Sequence, residues 1–426
     1  MSSSDIINDG LVSFTSKMGT SRDKAATAQY VMNALNPNEL MNAYRTSWLA
    51  RAVVDKRQDD ATRKWREWHT QTPEQISALE KEERRLKLKQ KVNRALKLAS
   101  LMGGSAIYFD TGQSTTDELN VNRVGRNGVR FATVLSVNDL TVEEVERDPL
   151  NERFGLPSYY TLKTNSGTQT RVHWSHLAIF TGGDTLDSNQ RWGDSDLMPV
   201  IDAMKQFEGT CANVASLVYE AKIDVFGIAG LANAVSTTEG ENGLKQRYAL
   251  LATMKGVNGM IVMDKDNESY DQKSATFAGL TDVMDKFQQN VSGAAGYPRA
   301  ILFGTASGGL GSTGELELSS YYDRIGEIQE NDITPAMELL DECLIRSALG
   351  SRPEDVFYNW RSLWQVSDKD KADIGKVQAD TITALVGSGL FDPDSLRDAA
   401  VNMFAESGTI PGLENIAPDD DETGAL

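Results

Sequence analysis

The sequence predicts an α+β fold, and three observations carry that reading. Apolar residues recur at helical spacing through residues 36–101, and after the glycine pair Gly103-Gly104 they give way to short runs of strand character. Two helical stretches, 195–222 and 280–296, flank a small insert of mixed α/β pattern. A glycine-rich segment then runs straight into a long helical stretch with Pro335 in its middle.

Taken in order, residues 1–35 are polar and read as a flexible N-terminal arm. "NPNELMNAYRTSWLARAVVDKRQDDATRKWREW" reads as one helix with Asn38 as N-cap, its stripe formed by Leu40, Tyr44, Trp48 and Ala52. A second helix, dense in charge, runs from Pro73 to about Leu101 and contains "KEERRLKLKQKVNRALK". Its cations could meet phosphates or form a solvated face. "GGSAIYFD", "SYYTLKT", "TQTRVHW" and "HLAIFTG" read as strands of an antiparallel sheet, with Asn165-Ser166-Gly167 as a hairpin turn, and "VRFATVLSVNDLTVEEVE" as strand, turn, then a short strand or helix.

Ser195 or Asp194 caps a helix expected to reach about Lys222, roughly 40 Å long at 1.5 Å per residue. "VFGIAGL" reads as a buried strand, "GENGLKQRYALLATMKG" as a short helix and "GMIVMDKDNESYDQKS" as a hairpin turning at Asp266-Asn267. "LTDVMDKFQQNVSGAAG" is the next helix. Residues 315–349 read as one helix kinked at Pro335, because proline removes a backbone bond. Residues 367–404 read as two helices broken at "GSGLFDPDS", and the acidic residues 411–426 as a disordered tail.

The chain has 426 residues, a net charge of −18 and a pI near 4.7. Such acidity argues against a protein that reads DNA sequence through a basic face. It leaves room for one that handles DNA without gripping it. No apolar run approaches the roughly 20 residues that span a bilayer, so no membrane partner is expected. Cys211 and Cys343 lie far apart and form no C-x-x-C pair, and His69, His173 and His176 are too few for a metal site. No cofactor or metal is expected.

The stretch "LFGTASGGLGSTGELELSSYYDRI" invites comparison with a phosphate-binding loop. Residues 304–314 hold no lysine or arginine, and Gly314 is followed by Glu315, so the cation that reaches the phosphates is missing. A two-histidine phosphoesterase needs two H-x-[ST] motifs, and His173-Trp174-Ser175 supplies one. These readings point away from an enzyme.

Three blocks in order resemble one family. "SATFAGLTDVMDKFQQNVSGAAGYPRAILFGTASGGLGSTGELELSSYYDRIGEIQENDITPAMELL" resembles the core motif of tailed-bacteriophage portal proteins, the head-tail connectors, in the branch known as an uncharacterised phage domain. "AYRTSWLARAVVDKRQDDATRKWREW" resembles the family's N-terminal signature, and "VHWSHLAIFTGG" with "WGDSDLMPVIDAM" its central one.

The resemblance implies a portal fold. Residues 36–194 would form the wing, 195–224 and 276–298 the two stem helices, and 225–275 the clip between them. Residues 299–314 would be the tunnel loop, 315–366 the kinked wing helix and a strand, and 367–410 the crown. It implies a ring, usually a dodecamer, at one capsid vertex of the virion, assembled in the host cytoplasm. Double-stranded DNA would pass through it during packaging and ejection. Terminase large subunit and head-tail adaptor would dock at the clip around Asp266 and Asn267, and major capsid and scaffolding proteins would surround the ring. The expected channel residues are Arg299, Gly304, Ser307, Gly308, Gly309, Leu310, Gly311, Ser312 and Gly314. Glycine lends that loop freedom, and the lack of cations avoids trapping phosphates. Lys205, Lys222 and Lys286 are candidate DNA-facing stem cations or partners in intersubunit salt bridges. A different ring-forming capsid or tail connector is the alternative.

Overall fold

The computed structural model describes residues 35–163, 167, 169–183, 192–219, 222–231, 235–258, 266, 268–274, 278–304, 312–363, 368–388 and 400. The expected arm, acidic tail and second C-terminal helix lie outside these residues, apart from isolated positions. The fold is α+β, as the pattern predicts.

The first predicted helix is two, α1 (Pro37–Thr46) and α2 (Trp48–Arg63), divided at Ser47. Asn36, not Asn38, is the first N-cap: its side chain accepts from the Asn38 amide at 2.8 Å, while Glu39 accepts from the Asn36 amide at 3.3 Å. Ser47 is extended, and its hydroxyl accepts from the Ala50 amide at 3.2 Å to start α2. The end of that predicted helix is instead strand β1 (Arg66–His69), antiparallel to β10 (Phe357–Trp360). A partner so distant in sequence leaves no trace in local periodicity.

The charge-dense helix also divides, into α3 (Pro73–Leu86) and α4 (Leu88–Met102). Lys87 between them is left-handed, at φ 53°. Two antiparallel sheets follow. In one, β2 (Gly104–Asp110) lies between β3 (Phe131–Ser136) and β7 (Leu177–Thr181). In the other, β5 (Pro157–Lys163) lies between β4 (Leu140–Val145) and β6 (Gln169–His173). Gly104 has to be glycine, since a Cβ there would meet the Trp192 ring at 2.2 Å.

Helix α5 (Ile201–Tyr219) is shorter than expected, about 28 Å. Ser195 accepts from the Leu197 amide at 3.2 Å and so caps a preceding turn. Strand β8 (Lys222–Ile228) pairs with β9 (Glu268–Ser274) in a two-stranded ribbon that leaves Gly227 exposed, so the expected buried strand lies at the surface there. Helix α6 (Thr238–Asn258) spans the segment between them and is longer than predicted, while α7 (Leu280–Ala295) closely matches expectation.

A short helix α8 (Arg299–Phe303) precedes α9 (Ser312–Ile328), a π turn (Gln329–Ile333) and α10 (Thr334–Leu349). The interruption therefore sits just before Pro335. Pro335 stands in the first turn of α10, directly after the π turn, so its missing N–H falls where the backbone bonding changes from π to α. The Thr334 hydroxyl donates to the Gln329 carbonyl at 2.8 Å, and the Gln329 amide donates to the Ala61 carbonyl at 2.7 Å, tying the π turn to α2. Helix α11 (Asp368–Ser388) ends the described chain apart from residue 400.

The main core packs α2, α3, α4 and α10 around fully buried Leu49, Leu79, Leu88, Met337 and Leu340. A charged knot lies beside it. The Arg66 guanidinium, 0% exposed, bridges Asp341 through two bonds of 2.5 and 2.7 Å and donates to Glu83 at 2.8 Å. The rings of Trp68 and Tyr358 lie 4.6 and 4.4 Å from it. Burial alone would lower its pKa, but Asp341 and Glu83 outweigh that and hold it above the ordinary guanidinium value.

Candidate functional site

Burial changes along α5 and α7, the two helices that pack against each other. At the start of α5, Ala203, Met204 and Phe207 are buried. Toward its end Asn213, Ser216 and Leu217 are exposed. Helix α7 runs the opposite way: Thr281, Asp282 and Val283 are exposed, whereas Val291, Ser292 and Ala295 are buried. The antiparallel pair thus leaves the body as a stalk, with β8, β9 and α6 inserted at its far end. Leu217 is 48% exposed and Val283 45%, both on the outer half of the pair.

The foot of the stalk is firmly held. Ser47 donates to Glu208 at 2.5 Å, joining α2 to α5. Tyr297 donates to the Val53 carbonyl at 2.7 Å and accepts from the Arg57 amide at 3.1 Å. Burial pushes its hydroxyl up to about 12. Arg57 donates to the Ala295 carbonyl at 3.0 Å and closes the C-terminal end of α7. Phe303 is wedged edge-on between Trp48 and Phe207, with ring centroids at 5.9 and 5.4 Å. Lys56 donates to the Ile301 carbonyl. Helix α8, up to Gly304, therefore sits on a braced platform. None of these anchors was expected from sequence, because each joins segments far apart in the chain.

The expected site residues fall as follows. Lys205 is exposed on α5, and Lys286 is exposed on α7, donating to Gln289 at 3.2 Å. Lys222 is not on the helix; it opens β8, since α5 ends at Tyr219. Arg299 starts α8 rather than a loop, and its guanidinium is bound to Asp285 of α7 at 2.7 Å, so the nearest cation to the glycine segment is neutralised. Gly304 ends α8 at φ 72°, a left-handed position that suits glycine. Ser312 and Gly314 lie in α9, because the helix begins three residues earlier than expected. Ser307, Gly308, Gly309, Leu310 and Gly311 lie outside the described residues. Asp266 is exposed in a turn, and Asn267 lies outside the described residues.

The histidine motif is engaged internally. His173 Nδ1 and the Ser175 hydroxyl are 2.8 Å apart, and that hydroxyl accepts from the Leu119 amide at 2.8 Å. His176 is 1% exposed, with Nε2 at 3.0 Å from the Asp117 carbonyl. Desolvation by burial lowers the pKa of both rings. The pair braces the 3₁₀ turn between β6 and β7.

A family model described as phage portal protein matches residues 38–384. The chain belongs to the phage portal protein family. Two relatives are called anti-CBASS protein Acb1. That of Caulobacter sp. (strain RHG1) is 36% identical, the match covering 95% of this chain and 68% of the relative. That of Sphingomonas paeninsulae is 33% identical, with coverages of 97% and 69%. An uncharacterised protein of Haemophilus influenzae (strain ATCC 51907 / DSM 11121 / KW20 / Rd) is 30% identical over 98% of this chain and 93% of its own. Among solved structures, a chain from the neck of an empty GTA particle, computed with C6 symmetry, superposes with a TM-score of 0.53 at 13% identity. The match covers 87% of this portal-family chain and 94% of the other, and it shows a shared fold. The same portal fold class was expected from the three sequence blocks.

Proposed function

We propose that this portal-family chain forms a ring at one capsid vertex and that the stalks of neighbouring copies wall an axial channel for double-stranded DNA. The observation that carries this reading is the exposure of Leu217 and Val283 on the outer half of the stalk. Copies packed side by side would cover both. In this reading 36–194 is the wing, α5 and α7 are the stem, 225–275 is the clip, and 299–314 is the tunnel loop of the channel. Helix α11 belongs to the crown.

Twelve copies, each at −18, would repel the duplex from all sides, so no deep electrostatic trap would halt it. The exposed Lys205 and Lys286 are left as centring cations or as partners for a neighbour's carboxylates. The clip at the far end would take terminase large subunit during packaging and the head-tail adaptor afterwards. Major capsid and scaffolding proteins would meet the wing, and the assembly would remain in the virion. The role is structural rather than enzymatic. The name Acb1 belongs to two chains about a third of whose length lies outside the match.

Electron microscopy of the purified full chain tests this. Rings with a central hole are expected, whereas monomers at every salt and protein concentration would overturn the reading.

A further inference from the structure

The turn between α3 and α4 concentrates positive charge on an otherwise acidic protein. Between residues 81 and 97 stand Lys81, Arg84, Arg85, Lys87, Lys89, Lys91, Arg94 and Lys97, against only Glu82 and Glu83. Both acids turn inward. Glu82 binds Arg85 and Ser347, and Glu83 binds Arg66 and Trp65. Arg84 pairs with Glu80, and Lys97 with Asp55 and Asp59. Among the described residues no carboxylate pairs with Lys81, Lys87 or Arg94, all exposed.

Their placement is directional. Lys91 and Arg94, three residues apart, share one face of α4, and Lys87 stands at its N-terminal cap. Lys91 donates to the Ala132 carbonyl at 2.6 Å, which lays that face along β3. Its ammonium is held below its ordinary pKa, first by burial and then by the charges of Lys87 and Arg85. The cations therefore press on one another in the folded chain. Lys87 adds a second cost, because it takes a left-handed backbone conformation that glycine or asparagine adopts more easily. A lysine kept in a strained turn beside like charges contributes nothing to folding that glycine would not.

The exposed residues of this surface in 81–94 are Lys81, Arg84, Arg85, Lys87, Lys89, Gln90 and Arg94. None is apolar or aromatic. Protein interfaces centre on aromatic, apolar or arginine anchors; Arg84 and Arg85 are already held by Glu80 and Glu82, which leaves lysines and Arg94, a set that suits a phosphate backbone. The stripe from Lys87 to Arg94 is about 10 Å long, and duplex DNA offers one phosphate charge per about 1.7 Å of axis.

We propose that the turn between α3 and α4 is a binding surface for the phosphate backbone of duplex DNA, separate from the channel and indifferent to sequence. The proposal does not depend on ring formation.

Fluorescence anisotropy of a labelled random-sequence duplex with the full chain tests it. Wild-type binding should weaken linearly in log–log form as salt rises. The variant Lys81→Glu, Lys87→Glu, Arg94→Glu should bind at least about tenfold more weakly at low salt. Its salt slope should shrink by about 0.9 for each phosphate the variant no longer neutralises. Lys87→Gly preserves the turn, so it should keep or raise thermal stability while losing part of the affinity. Three results would overturn the proposal: no binding by the wild type, unchanged binding by the triple variant, or binding of poly-glutamate without binding of duplex.

Discussion

The body and the stalk of this chain are built on opposite terms. In the body, even a buried charge is satisfied within one chain. Arg66 reaches Asp341 and Glu83 with no solvent access, and Trp68 and Tyr358 pack on its faces. In the outer stalk, apolar side chains such as Leu217 and Val283 stay open on helices that are otherwise well formed. The contrast teaches that helix formation and burial are separable here. The body closes a buried core within one chain, although Leu150 and Phe154 stay exposed on it, whereas the outer stalk has its secondary structure with little of it buried.

The largest expected effect lies in the body. Asp341→Ala leaves the Arg66 charge buried beside Glu83 alone, and it should cost about 3–5 kcal/mol in unfolding free energy. Chemical denaturation of the variant measures this. A loss under about 1 kcal/mol would mean that the knot relaxes to water and that the body is looser than described.

A smaller effect is expected where body meets stalk. Tyr297→Phe removes the donor to the Val53 carbonyl and the acceptor for the Arg57 amide. It should cost about 1–3 kcal/mol, read from the same denaturation curve, with the ring intact. A variant that folds normally but no longer assembles would place Tyr297 in control of stalk direction instead.

The two cysteines report on the two regions without any substitution. Cys343 is 0% exposed, and burial pushes its thiol up to about 12. An acid whose pKa is raised by folding favours the fold in its neutral form, so this contribution is lost only as pH climbs through the alkaline thiol range. At about pH 8, just below the ordinary thiol range, Cys343 should resist alkylation until the body unfolds. Cys211 lies half-buried on α5, and its pKa is also raised, first by desolvation. It should react faster than Cys343. Mass spectrometry of briefly alkylated protein distinguishes the sites, and equal rates would erase the distinction between the regions.

What was legible in the sequence follows from which interactions are local. Strands β2, β3, β5, β6 and β7 and helix α7 were readable because their alternation or periodicity is complete within a few residues, whereas "LTVEEVE" fitted a short strand or a helix and is strand β4. Strand β1 was missed because its partner β10 lies about two thirds of the chain away, so "REWH" looked like the end of a helix. The breaks at Ser47 and Lys87 were missed because neither residue is a strong helix breaker, and tertiary packing sets the turn. The kink near Pro335 was anticipated in place but not in form, since the π turn depends on Gln329 reaching Ala61 in another helix. At the candidate site, Lys205 and Lys286 lie exposed on the helices where they were expected, while Lys222 opens β8 instead. Arg299 could not be known to be bound, because Asp285 lies on a different helix.

The most direct test of the account is native mass spectrometry of the 46.7 kDa chain beside its Leu217→Asp, Val283→Asp variant. Both residues are exposed in the monomer, so the substitutions should change monomer stability by no more than about 0.5 kcal/mol each. Between copies they would bury two unpaired carboxylates per subunit. The account predicts a closed oligomer of about twelve subunits for the wild type and a folded monomer with an unchanged melting temperature for the variant. A variant that assembles as fully as the wild type would show that the open face of the stalk is not what joins the copies.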